Sequence, residues 1–322
     1  IDPDPALGTA LPSAGVRMRE QSRTDLWPIR QATSRQRRQR TFDPHRGTPV
    51  AAARSPRTPR YAGGAGAALA LLADGVVRRI SINDADFRVY SFWRTVLDEP
   101  TWFVHRIMTA KLNIEEWREL RETCLSPDGK DMRDVGFAAF YMNRCNRSGV
   151  LNSGPIGGYE QAGEWRLDVR FTKAALAERI LEIAKLREQI DVNNLDAVVF
   201  LKQKLPSGNG RKSAFVYLDP PYVGKGQRLY LNAYEPDDHG EVSKYLAQQK
   251  ILPWVMSYDD AELVRHLYKE QQIALLPINY SLQEKRATNE LVIAPHRIRL
   301  PRTMRIGAKK FEFRELTPRN AA

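Results

Sequence analysis

Apolar residues recur three and four apart through most of the stretch from residue 87 to 195, and the spacing changes on either side of it. Within that stretch, "RVYSFWRTVLDE", "EEWRELRETCL", "VGFAAFYMNRCN" and "TKAALAERILEIAKLREQI" each gather their apolar residues on one side of a helix. Before it, "YAGGAGAALALLADG" predicts a glycine loop entering an apolar helix that stops at Gly75. "VVRRISIND" then predicts a strand from Val76 to Ile82 that ends in polar residues. After Asp196, short apolar runs return as "AVVFL", "FVYL", "WVMSY", "IALLPI" and "ELVIA", each of strand length and separated by helical or turn-rich stretches. This alternation predicts a parallel α/β sheet, with the helical block inserted into it. Loop, helix, strand and then an acid, Asp84, about 20 residues beyond the loop glycines, is the order of a doubly wound nucleotide-binding half.

Residues 1–60 follow neither period. They hold 12 Arg, no Lys, 5 acidic residues and 8 of the 20 prolines. That composition predicts a disordered basic tail or a segment not native to the fold, and the all-arginine content matches out-of-frame translation of a GC-rich gene. The run "AARSPRTPR" directly before the glycine loop, with two prolines and three arginines, is not expected to form a buried central parallel strand. The expected organisation is a basic segment at 1–60, an α/β domain at 61–94 and 196–322, and a helical domain at 95–195.

Composition removes several classes. At 322 residues and 42% apolar content the chain can bury one large core or two ordinary ones, which excludes wholesale disorder. No apolar run reaches the length of a membrane span, and the opening Ile-Asp-Pro-Asp lacks an export pattern. Two cysteines, Cys124 and Cys145, make neither a disulfide framework nor a metal-ligand set, so a reducing compartment and no metal are expected. The net charge of +12 points to a polyanionic partner.

The chemistry is concentrated in "FVYLDPPYVG". Phe215 to Leu218 suit a short central strand, and Asp219 follows at its carboxyl end, where open α/β sheets place ligands. Pro220 and Pro221 stop the backbone from continuing as helix or sheet, and Pro220 offers a rigidly aimed carbonyl. Tyr222 adds an aromatic face. Two acceptors and a ring suit a planar amine, which has two N–H bonds to give and a face to stack. A nicotinamide enzyme would explain the glycine loop and Asp84 but would leave this turn without a role.

These segments, in order, resemble the Dam-type family of adenine-specific DNA methyltransferases over about residues 61–300. "YAGGAGAAL" is similar to the family's glycine-rich S-adenosylmethionine loop, "ISINDAD" to its ribose-binding strand end, and "FAAFYMNRCNRSGVLNSGPIGG" to its Asn-Arg and Gly-rich signature. "VYLDPPY" is similar to its catalytic tetrapeptide, and "WVMSYDD" and "TNELVIA" to later strands. The resemblance implies a Rossmann-like S-adenosylmethionine-dependent methyltransferase sheet with an inserted, mainly helical target-recognition domain. It implies catalysis by Asp219, Pro220, Pro221 and Tyr222 on the exocyclic amine of an adenine flipped out of duplex DNA. Tyr61, Gly63, Gly64, Gly66, Asp84 and Asp219 would hold the cofactor, with Phe200 packing its adenine from a third strand in "DAVVFLKQ". Asn143, Arg144, Asn146, Arg147, Ser148 and Asn152 would meet the DNA, and Lys225 and Arg228 would lie on a loop closing over the flipped base.

The implied setting is cytoplasmic, as a monomer on double-stranded DNA, with a cognate restriction endonuclease as a further partner. His239 is expected on the surface. Two alternatives accompany this reading: a DNA-binding remnant impaired by loss of the first strand, and a methyltransferase for another planar amine such as cytosine or an RNA base.

Overall fold

A computed structural model describes residues 59–61, 65–223, 234–279, 287–301, 303–306, 309–312 and 314–316. Strand β1 (Pro59–Tyr61) leads toward helix α1 (Gly66–Ala73), which buries Ala68, Leu69 and Leu72 and ends ahead of Gly75 at φ +69°. Strand β2 (Ile80–Asn83) is buried at all four positions. It is shorter than the apolar pattern predicts, because the exposed Arg78 and Arg79 keep the chain out of the sheet until Ile80. Five helices follow: α2 (Phe87–Asp98), α3 (Pro100–Thr109), α4 (Ile114–Leu125), α5 (Met132–Cys145) and α6 (Lys173–Ala184). The chain then returns as β3 (Ile190–Asn193), α7 (Ala197–Lys204) and β4 (Val216–Leu218). It finishes through α8 (Pro236–Ala247), β5 (Trp254–Asp259), α9 (Glu262–Leu267), β6 (Gln272–Asn279), β7 (Ala287–Ala294), the hairpin of β8 (Thr303–Ile306) and β9 (Lys309–Glu312), and β10 (Arg314–Glu315).

Eight strands form one sheet in the order β10-β6-β7-β5-β4-β1-β2-β3. β3, β2, β1, β4 and β5 run parallel, whereas β7 runs antiparallel between β5 and β6. From β1 the chain builds outward through β2 and β3, then crosses to the other side with β4 and β5. The order therefore reverses between β1 and β4, and open α/β sheets bind ligands outside the carboxyl ends of the strands at such a switch point.

Two sequence expectations change. The first strand is present: Pro59, Arg60 and Tyr61 pair with Ser81, Ile82 and Asn83, and Arg60 also pairs with Tyr217. Prolines and arginines argue against a long buried strand, but this one is three residues long. Pro59 occupies its first position, where a missing N–H is tolerated. The second change is "AVVFL", which is α7 rather than the third strand. Asp196 caps it by accepting bonds from the Val198 and Val199 amides (2.9 and 3.0 Å). Ala197, Val198, Phe200 and Leu201 are buried and Val199 is exposed, a one-sided helical pattern rather than strand alternation. The third strand is "IDVN", at the tail of what the sequence presents as one long helix.

The helical block continues the core of one sheet region. Ile80, Ile82, Ile190 and Val192 share a cluster with Phe92, Phe103, Phe137 and Phe140 from α2, α3 and α5. Phe92 and Phe140 stack with ring centroids 5.8 Å apart, and α5 lies so close on α2 that a Cβ on Gly136 would meet the Ser91 carbonyl carbon at 2.7 Å. The expected boundary at 94/95 falls inside α2. No described helix is long and apolar enough to cross a membrane.

Candidate active site

Strand alternation and register assemble the site around the turn after β4. Val216, Tyr217 and Leu218 pair with Trp254, Val255 and Met256, so the same register places Asp219 opposite Ser257. Residues two apart on a strand share a face, which puts Tyr217 and Asp219 on the side that carries Val255, Ser257 and Asp259. On the neighbouring β7, Glu290 pairs with Asp259 and Val292 with Ser257. Three contacts follow. Ser257 Oγ donates to Asp219 Oδ1 at 2.8 Å, the Val223 amide donates to Asp259 Oδ1 at 3.0 Å, and the Tyr222 hydroxyl donates to the buried Glu290 Oε1 at 3.1 Å. Asp219 is exposed at the strand's end, Pro220 is buried beneath it, and Pro221 and Tyr222 are half-buried. An accessible carboxylate, a proline-stiffened backbone and a pinned phenol ring are the parts needed to orient an amine.

Across the switch point, β2 delivers Asp84. Its backbone N–H bonds the Asn193 carbonyl (3.2 Å), its carbonyl accepts from Asn194 Nδ2 (2.7 Å), and its Oδ1 accepts the Asp86 amide (2.9 Å). Asn83 and Leu195 exchange two further bonds at 2.9 and 3.0 Å, so the ends of β2 and β3 form one rigid ledge. Asp84 keeps some exposed surface, yet enough protein surrounds it that burial pushes its carboxyl up to about 7. The Asp86 amide opposes that rise, the Asp86 charge adds to it and Arg88 opposes it. Ala65, in the left-handed region at φ +41°, starts α1, and Gly66 is half-buried at its first position. Gly63 and Gly64 lie outside the described residues, as do Lys225, Arg228 and the side chain of Tyr61.

Phe200 has a different place from the one expected. It sits on α7, 3% exposed within the second core cluster beside Leu218 and Met256, and not at a strand end. The position at the end of the true third strand belongs to Asn193–Asp196, which the apolar run that follows it masks in the sequence.

The expected DNA-contacting residues divide into scaffold and surface. Asn146 is fully buried. Its Oδ1 accepts from Trp117 Nε1 (2.7 Å), and its Nδ2 donates to the Val150 and Leu151 carbonyls (3.0 and 2.9 Å). Arg144 is 6% exposed and donates twice to Asn143 Oδ1, while Asn143 Nδ2 donates to the Gly149 carbonyl. These groups build the loop, and Asn146 and Arg144 are buried within it rather than exposed on its surface. Arg147 is exposed and Ser148 half-buried in the left-handed region at φ +57°. Asn152 accepts from Arg88 Nη1 at 3.2 Å. Arg88, which the sequence did not mark, is buried, pairs with Asp86 at 2.6 Å and so links the Asp84 ledge to this loop.

His239 is also internal, 3% exposed. It bonds the Tyr258 hydroxyl and packs edge-on to Tyr234 with centroids 5.2 Å apart. Burial lowers its pKa. Cys124 and Cys145 are buried in α4 and α5, and burial pushes the Cys124 thiol up to about 11.

By fold and site this is a doubly wound α/β protein with an acid-Pro-Pro-Tyr turn at its switch-point crevice. The family model for D12 class N6 adenine-specific DNA methyltransferase matches residues 61–282, and the chain belongs to that family. No curated protein sequence matches the chain. Among solved structures it is similar to the rRNA methyltransferase aviRa from Streptomyces viridochromogenes, at 14% identity over 74% of this chain and 75% of that one, with a TM-score of 0.27.

Proposed function

We propose that the protein transfers a methyl group from S-adenosylmethionine to the exocyclic amine of an adenine flipped out of duplex DNA. The observation that carries this reading is the emergence of Asp219-Pro220-Pro221-Tyr222 from β4 at the switch point, in a chain of the D12 family. The crevice suits an adenosyl cofactor on the chemistry of its donors. Asp84 presents a carboxyl on a ledge held by Asn193, Asn194 and Asp86, as a ribose diol requires, and the start of α1 at Gly66 lacks a side chain. Asp84, Gly66 and the loop glycines Gly63 and Gly64 would hold the cofactor, which when bound supplies the electrophilic methyl of its sulfonium.

The chain's own residues position the acceptor. The Asp219 carboxylate and the Pro220 carbonyl accept the two amine N–H bonds, turning the nitrogen lone pair toward the methyl donor. The Tyr222 ring stacks on the base, with its hydroxyl held by Glu290. Asp219 need not be a strong base, because the amine becomes acidic once methylated and releases its proton afterwards. Positioning and electrostatics supply the rate, with orientation worth about 7–11 kcal/mol at best. The helical block and the loop around Arg147 and Ser148 would face the DNA.

The remnant alternative drew on a missing first strand, and β1 removes that ground. Incubation of the protein with methyl-labelled S-adenosylmethionine and duplex DNA, followed by nucleoside digestion, tests the proposal. Label on N6-methyladenine, abolished by Asp219→Ala with DNA binding retained, is the expected result. Label on cytosine or only on RNA, or none with intact DNA binding, overturns it.

A further inference from the structure

Asp219 does not stand alone at the strand end. Ser257 Oγ donates to its Oδ1 at 2.8 Å, and Tyr217 Oη lies 2.8 Å from the same Ser257 oxygen. A serine hydroxyl has one proton to give. Since that proton goes to Asp219, Tyr217 is the donor to Ser257, and the three groups form a directed chain from Tyr217 to Ser257 to Asp219. Ser257 is 8% exposed and lies in mid-strand, so it cannot swing away as a surface hydroxyl would. The parallel register of β4 and β5 sets the whole chain on one face.

We propose that Ser257, polarised by Tyr217, is a positioning residue that fixes the Asp219 carboxylate for its partner amine. An accessible carboxylate at the end of a strand has a broad, roughly two-fold torsional freedom about its last bond, and a buried donor on one oxygen removes it. Bonds in series polarise one another, so Tyr217 strengthens the bond from Ser257 to Asp219. The role rests on the reading of Asp219 as the amine's acceptor, and it adds a residue from β5 to the machinery that β4 presents.

The test compares the full chain with Ser257→Ala, Ser257→Thr and Tyr217→Phe. Isotope-edited infrared spectra of aspartate carboxylates, with the Asp219 band assigned by its loss in Asp219→Asn, report the hydrogen bond directly. Methyl transfer to adenine-containing duplex DNA gives kcat and KM. Ser257→Ala is expected to move the Asp219 band and to lower kcat roughly 10-fold with KM for DNA and cofactor unchanged. Ser257→Thr should return both toward the wild-type values, and Tyr217→Phe should fall between. An unmoved band, or kcat and KM disturbed alike in the Ala and Thr variants, overturns the proposal. If the wild-type chain methylates no adenine, the functional reading fails, and the infrared band alone still decides whether Ser257 orients Asp219. If Ser257→Ala does not fold, the Tyr217→Phe band decides the same point.

Discussion

Asp84, the proposed ribose ligand, carries a cost to the fold. Its folded pKa of about 7 exceeds the ordinary 3.8, so between those values the folded protein keeps a proton that the unfolded chain has lost. The folded state is therefore progressively disfavoured as pH rises from about 4 to about 7, and the penalty stays constant above that. Asp84→Asn is expected to raise the melting temperature at pH 8, by an amount on the order of 1–4 kcal/mol in stability, with the gain fading toward pH 4. The same variant should lose affinity for S-adenosylmethionine. Thermal melts at both pH values, paired with calorimetry, check the opposed signs. Asn146 makes the converse case. Asn146→Ala takes the partner of the buried Trp117 Nε1 and one bond each from the Val150 and Leu151 carbonyls, and should cost about 1–3 kcal/mol in denaturant unfolding, whereas Arg147→Ala should leave stability unchanged and weaken DNA binding.

Among the elements, packing corrected what local pattern suggested. Most of the helices that the apolar spacing marked are present; "WVMSY", "IALLPI" and "ELVIA" lie in strands, and "FVYL" does so from Val216, with Phe215 just ahead of the strand. The run "AVVFL" misled because Val, Val and Phe favour a strand wherever a sheet is there to receive them, while Asp196 caps a helix and the core lies to one side. "IDVN" was hidden because three and four spacing carries on through it from α6, and only pairing with β2 makes it a strand. Close packing of α2 on α5 makes a prediction at this scale. Gly136→Ala would drive a methyl into the Ser91 carbonyl, and we expect a loss of about 1–3 kcal/mol or more, read from denaturant unfolding.

For the whole molecule, the decisive feature is the place of β1. It lies between β4 and β2, so the sheet halves that carry Asp219 and Asp84 are joined through three residues at the edge of an arginine-rich segment. A chain beginning at Ala62 should lose the pairing partner of both halves, bind S-adenosylmethionine poorly and unfold with reduced cooperativity. A chain beginning at Pro59 should retain β1. Circular dichroism melts and calorimetry of the two truncations distinguish this from a sheet held by its outer strands alone.

The residue types of the site were legible in the chain itself. Asp219 to Tyr222 and Asp84 stand out because the proposed amine and ribose chemistry demands particular groups at strand ends, and those demands are local in sequence. Contacts among the strands were not legible. Ser257, Glu290 and Asp259 reach the proposed catalytic turn only through the register of β4, β5 and β7, which brings together residues dozens of positions apart. Burial likewise separates Asn146 from Arg147, one position away, because the direction a side chain faces is set by the core it borders and not by its own chemistry.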